Sequence, residues 1–149
     1  MEKIDNNTVI VSIGNDLRGD DNAGILLGAL IEKTLSLNVI NCGSSPENFT
    51  GKITKLNPKK IIIIDAMDFG AEPGKIKIVS SEKIAKDSAF THGSLKFFIE
   101  YLKKVTGADI FILGIQPGSI ITGGKISSEV FKNLKKISKN FEKIFDCCS

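Results

Sequence analysis

The 149-residue chain carries 20 lysines and arginines against 17 acids, a net charge of +3, with 42% hydrophobic and 25% charged residues. Those proportions belong to folded globular proteins and exclude a disordered chain, while a charge so close to balance argues against a nucleic-acid-binding surface. The length suits one domain over residues 1–149, and no apolar block approaches the ~20 residues of a membrane span.

The opening residues, Met1 to Asp5, contain no basic region followed by an apolar run, so no export signal is expected. Three cysteines, Cys42, Cys147 and Cys148, form no C-x-x-C pair and leave an odd number, which fits a reducing cytoplasm. Thr8 to Ile13 is β-branched and almost continuously apolar, the pattern of a strand covered on both faces. A polar, glycine-bearing loop follows, Gly14-Asn15-Asp16-Leu17-Arg18-Gly19-Asp20-Asp21. From Ala23 to about Leu35 the pattern predicts a helix that is apolar almost all round and therefore deeply packed.

Leu37 to Cys42 reads as a second strand. Ser45-Pro46-Glu47 then predicts the start of a short helix, with Ser45 as N-cap and Pro46 in its first position. Ile61-Ile62-Ile63-Ile64 is the clearest central strand, followed at once by Asp65. Gly74 to Val79 alternates polar and apolar residues, as an edge strand with one wet face does. Ser81 to Ala85 allows one helical turn. A helix with Leu95, Phe98, Ile99 and Leu102 inward comes after Thr91-His92-Gly93, and Asp109 to Gly114 is the last strand. The last helix is expected from Ser128 to about Phe145, with Val130, Phe131, Leu134, Ile137, Phe141 and Ile144 inward and its lysines in solvent. Strands alternating with helices imply a three-layer α/β/α sandwich with a mostly parallel sheet.

Ligands of open α/β sheets bind beyond the carboxyl ends of the strands. Asp20 and Asp21 follow the first strand, Asp65 ends the third and Gln116 follows the last; His92 is the single histidine. A carboxylate beside four buried isoleucines loses hydration, which costs several kcal/mol unless a cation or donors compensate, so Asp65 is either satisfied by nearby backbone N–H groups or takes a ligand. Asp20 reads as a helix N-cap or first-turn acid; Asp21 is open to either a cap or a ligand role. His92 is either a surface residue at a helix start or a site residue. Were Asp21, Asp65 and His92 to meet, they would hold a divalent ion or, without one, form an acid/base set in which repulsion raises one carboxyl pKa. Dinucleotide, P-loop, kinase and serine-hydrolase motifs are missing. Cys42 reads as a small buried core residue.

Six short motifs in this order resemble the nickel–iron hydrogenase maturation endopeptidases, in the branch that processes formate-hydrogenlyase-type large subunits. They are Gly14-Asn15-x-Leu17-Arg18-Gly19-Asp20-Asp21, Gly43-Ser44-Ser45-Pro46-Glu47, Ile64-Asp65-Ala66, Phe69-Gly70 with Pro73-Gly74, Thr91-His92, and Gly114-Ile115-Gln116-Pro117. Asn22 stands where the family often has glycine. The resemblance implies a phosphorylase/hydrolase-like three-layer sandwich around a five-stranded twisted sheet. It implies an endopeptidase that removes the C-terminal extension of the hydrogenase large-subunit precursor after nickel insertion. The nickel would arrive with the substrate and be read by Asp21, Asp65 and His92. Gly14, Asn15 and Gly19 would shape the floor of the site, and Gln116 would contact the substrate chain. A cytoplasmic monomer with neither nucleic-acid nor membrane partner is expected. The competing expectations are a non-catalytic nickel or maturation-factor binding module and a metal-dependent hydrolase of small amides.

Overall fold

The computed structural model describes residues 4–84, 93–121 and 123–148. Thr91 and His92 lie outside the described residues. Five strands, β1 (Thr8–Ser12), β2 (Asn38–Asn41), β3 (Lys60–Ala66), β4 (Ile76–Ser80) and β5 (Asp109–Ile115), form one sheet in the order β2-β1-β3-β5-β4. All neighbours are parallel except β4, which runs antiparallel along β5 at one edge. That edge position is the one its alternating sequence predicted.

The run of isoleucines in β3 follows from helices on both faces. Ile61 and Ile63 point to one side, with Val9, Val11, Ile110 and Ile112, and meet Ile53 of α2 (Thr50–Lys55) and Leu95, Phe98, Ile99 and Leu102 of α4 (Gly93–Thr106). Ile62 and Ile64 point to the other side. They meet Leu27 and Ile31 of α1 (Ala23–Thr34), Val130 and Leu134 of α5 (Ser128–Lys139), and Phe141 and Phe145 of α6 (Phe141–Cys148). All four isoleucines are fully buried, each worth roughly 1.5–3 kcal/mol by transfer from water. A short helix α3 (Ser81–Ile84) follows β4, as expected of that stretch. Among the described residues no helix is long and apolar enough to cross a membrane.

Four local expectations are corrected. The last helix is two: α5 ends at Lys139, and Asn140 turns the chain before α6 begins. The Asn140 amide nitrogen donates to the Lys136 carbonyl (3.0 Å), the local side-chain competition that ends helices. The turn brings Phe145 fully into the core beside Phe111. Phe131, expected inward, is exposed with the Lys135 ammonium over its ring at 4.7 Å. Pro46 opens a 3-10 turn (Pro46–Phe49) rather than the α-helix itself, and Ser45 makes no side-chain cap bond. Helix α1 is buried on one side only: Leu27 and Ile31 are covered, and Ala29 faces solvent.

Gly24 lets α1 sit directly on the strand ends. A Cβ there would run into the Ile13 carbonyl and lie 2.6 Å from that of Ile64, both fixed backbone atoms. Glycine inside a helix normally weakens it by roughly 0.5–1 kcal/mol relative to alanine, so Gly→Ala ordinarily stabilises. Here Gly24→Ala is expected to lower the unfolding free energy by roughly 2–3 kcal/mol through overpacking, read from urea midpoints; a stabilised variant would refute the close approach.

Candidate active site at the carboxyl ends of the strands

Three chain segments are laced together where β1, β2 and β3 end. Ile13 N–H donates to the Ile64 carbonyl (2.9 Å) and Gly14 N–H to that of Gly43 (2.9 Å). The opening loop then folds on itself: Asn15 N–H reaches the Asp21 carbonyl (3.1 Å), Asp21 N–H the Arg18 carbonyl (3.0 Å), and Asn15 Oδ1 accepts from Leu17 N–H (2.9 Å). A Cβ on Gly14 would lie 2.7 Å from the Asp21 carbonyl, so the loop closes this tightly only over glycine.

The lacing opens a cleft of about 390 Å³. Asp21 from the opening loop and Asp65 from the end of β3 both line it, so two residues 44 positions apart in the chain meet as their strand ends suggested. Leu95, three residues after His92, lines it as well. Burial pushes the Asp65 carboxyl up to about 7, the charge of Asp21 pushes in the same direction, and the Ala66 N–H opposes both. Backbone donation alone therefore does not satisfy Asp65. Among the described residues neither aspartate enters an ion pair, and no three His, Cys, Asp or Glu side chains form a metal-holding cluster.

Of the residues expected at the floor, Gly14 lines the cleft. The half-buried Asn15 holds the turn through its side chain. Gly19 faces elsewhere: its φ is +54°, and a Cβ on it would meet the Ser119 carbonyl at 2.6 Å. Gln116 is not free to grip a substrate chain. Its Oε1 accepts from Phe69 N–H (2.8 Å) and Ala71 N–H (3.2 Å), and its Nε2 donates to Asp68 Oδ1 (3.0 Å). It is a buried brace for the loop after β3.

Asp20 is a first-turn acid, as one of its two expected roles had it, but of a 3-10 turn (Gly19–Asn22) rather than of α1, and it is completely buried. Its Oδ2 accepts from Gly118 N–H (2.7 Å), Ser119 N–H (2.9 Å) and the Ser127 hydroxyl, and its Oδ1 accepts from Ser127 N–H (2.6 Å). Burial would raise its carboxyl, but these donors outweigh that and hold it below the usual carboxylate range. Asp20 thus ties the loop before α5 to the opening loop. Cys42 is buried as expected, and burial pushes its thiol up to about 12, which leaves it inert. Asn22 Oδ1 is buried without a hydrogen-bond partner among the described residues.

Arg18, Ser44 and Glu47 line the cleft and were not singled out from sequence as site residues. The signal was present, because all three lie in glycine-bearing loops at strand ends, where ligands of such sheets bind.

The raised Asp65 carboxyl has a consequence for stability. The folded protein binds this proton more tightly than the unfolded chain, so the stability it contributes is full below the ordinary carboxylate pKa, about 4, and is lost as pH rises through about 7. Asp65→Asn should therefore raise the melting temperature at pH 8 without added metal, by an equivalent of roughly 1–3 kcal/mol, with little gain at pH 5. A destabilised variant at pH 8 would show that Asp65 is well satisfied as an anion.

Comparison with known proteins gives this geometry a family. Residues 26–144 match the family model described as hydrogenase maturation protease; Asp65 lies inside that span and Asp21 just before it. A putative hydrogenase maturation protease of Methanocaldococcus jannaschii is 38% identical over 133 residues, covering 82% of this chain and 78% of the relative. The hydrogenase 3 maturation protease of Escherichia coli K12 is 40% identical over 113 residues, covering 73% and 72%. Among solved structures, the [NiFe] hydrogenase maturation protease HycI from Thermococcus kodakarensis superposes with a TM-score of 0.83 at 32% identity, covering 93% of this chain and 92% of that one. The chain belongs to the hydrogenase maturation protease family and is a peptidase.

Proposed function

We propose that the protein removes the C-terminal extension of a nickel–iron hydrogenase large-subunit precursor after nickel insertion. It reads the substrate's own nickel through Asp21, Asp65 and His92, and acts as a monomer in the cytoplasm. The observation that carries this reading is the uncompensated repulsion in the cleft: Asp65 is desolvated and faces Asp21, and among the described residues no ion pair offsets either charge. A divalent ion entering with the substrate removes that penalty at once, since opposite charge favours both ionised carboxylates and imidazole is a good nickel donor. Nickel-free precursor brings no such compensation, so the cleft has nothing on it to grip.

The chemistry is hydrolysis of one peptide bond: water adds to the carbonyl carbon, the C–N bond breaks, and the leaving nitrogen takes a proton. Either one of the carboxylates would activate the water, or nickel held by Asp21, Asp65 and His92 would supply Lewis-acid polarisation at the scissile bond. Asp21 and Asp65 position it from the ends of two rigid segments, the opening loop closed over Gly14 and strand β3. Similarity to the Escherichia coli hydrogenase 3 maturation protease supports a hydrogenase precursor as the substrate.

Incubating the protein with nickel-loaded and nickel-free precursor and weighing the large subunit tests the proposal. Loss of the extension is expected only from the nickel-loaded form. It is expected to slow by at least about a hundredfold in Asp21→Asn and Asp65→Asn, in line with the removal of groups that hold a catalytic ion. Equal cleavage of both forms would remove the nickel-reading role, and full activity of either variant would remove the site.

A further inference from the structure

Three large aliphatic side chains stand in solvent on the two loops that Asp20 joins: Leu17 is 65% exposed, Ile120 46% and Ile121 71%. Their exposure is not looseness of the backbone. Gly123 N–H donates to the Leu17 carbonyl (2.6 Å), Gly19 N–H to that of Gly124 (3.2 Å), Asp20 N–H to that of Ser119 (2.6 Å), and Gly124 N–H to that of Ile121 (2.9 Å). The Asp20 carboxylate adds four further bonds from beneath. A buried charge with a full set of donors is a rigid support, and what it supports is an apolar display. Exposed charged residues accompany the three aliphatics in the chain, Asp16 and Arg18 on either side of Leu17 and Lys125 four residues after Ile121, the mixture of apolar and polar groups a protein interface uses. Three large exposed aliphatics on two loops tied together by backbone hydrogen bonds offer the material of a contact site.

We propose that Leu17, Ile120 and Ile121 are the docking surface for the folded body of the protein substrate, whose chain end then enters the Asp21–Asp65 cleft. The inference rests on the peptidase reading of that cleft. Continuity with the cleft identifies the occupant: Arg18, the residue next to Leu17, lines it. The substrate is the partner whose docking has to deliver a chain end to that point. Binding energy collected on this surface, away from the reacting bond, holds the chain end in place for hydrolysis. A second apolar stripe, Phe97, Tyr101 and Val105, lies on the face of α4 opposite Leu95 and serves as the internal comparison.

Cleavage kinetics on nickel-loaded precursor test the assignment. The double variant Ile120→Asp/Ile121→Asp is expected to raise KM at least about tenfold, the scale of a lost interface anchor, with kcat within about twofold and an unchanged melting temperature. Phe97→Asp is expected to leave KM at the wild-type value. Should the double variant melt early, Leu17→Ser, a single exposed side chain, must still raise KM. A wild-type KM in the double variant and in Leu17→Ser overturns the docking surface, as does a rise confined to Phe97→Asp. A wild-type protein that cleaves no precursor at all overturns the functional reading instead, which separates the two failures.

Discussion

Two carboxylates lining one cleft, one of them desolvated, are the constraint around which the rest of this structure is arranged. Asp21 and Asp65 come from different strand ends, and neither is offset by an ion pair among the described residues. This weakens the fold, because burial and the charge of Asp21 both disfavour ionisation of Asp65. Asp65 answers by keeping its proton up to about neutral pH. A structural role would be served better by an amide at the same position. Under the function proposed above, the pair has a use, as the receiver of a cation that arrives with the substrate.

The fold tolerates that penalty because the surroundings are over-determined. Helix α1 rests on the sheet at Gly24, so the opening loop has no room to drift. β3 is held between β1 and β5 from Lys60 to Ile64, and beyond that stays paired with β5, with Asp65 opposite Gly114. Asp20, one residue before the site, spends its charge on four hydrogen bonds to the loop before α5. Two adjacent aspartates therefore do different things: Asp20 is fully satisfied and rigidifies, while Asp21 lines the cleft. Their difference comes from donors brought by remote chain, not from the residues themselves.

This explains which parts were legible in the amino-acid order. The five strands were, because burial on both faces leaves only apolar residues in the middle of β1 (Val9–Val11) and β3 (Ile61–Ile64), and a wet face forces the alternation in β4. The convergence of Asp21 and Asp65 was too, since parallel strands put their carboxyl ends on one side of the sheet. The role of Asp20 was not, because its donors lie 98 to 107 residues away. Gln116 misled for the same reason: its position at a strand end is that of a ligand, while its actual partners, Phe69, Ala71 and Asp68, are set by how another loop folds back. The break at Asn140 was hidden inside a helical period that continues on either side of it. Arg18, Ser44 and Glu47 were visible as motif members, but which side chains turn into the cleft depends on loop geometry that periodicity does not encode.

The mutual repulsion of Asp21 and Asp65 is open to direct measurement. A carbon-13 NMR titration of the side-chain carboxyls, without added metal, should show Asp65 losing its proton near pH 7, as the structure has it. In Asp21→Asn the midpoint should fall, because one of the two causes is gone while burial remains. A midpoint near the ordinary carboxylate value of about 4 in both proteins would mean that the cleft imposes no penalty on its acids. The account of a site waiting for its substrate's cation would then be wrong.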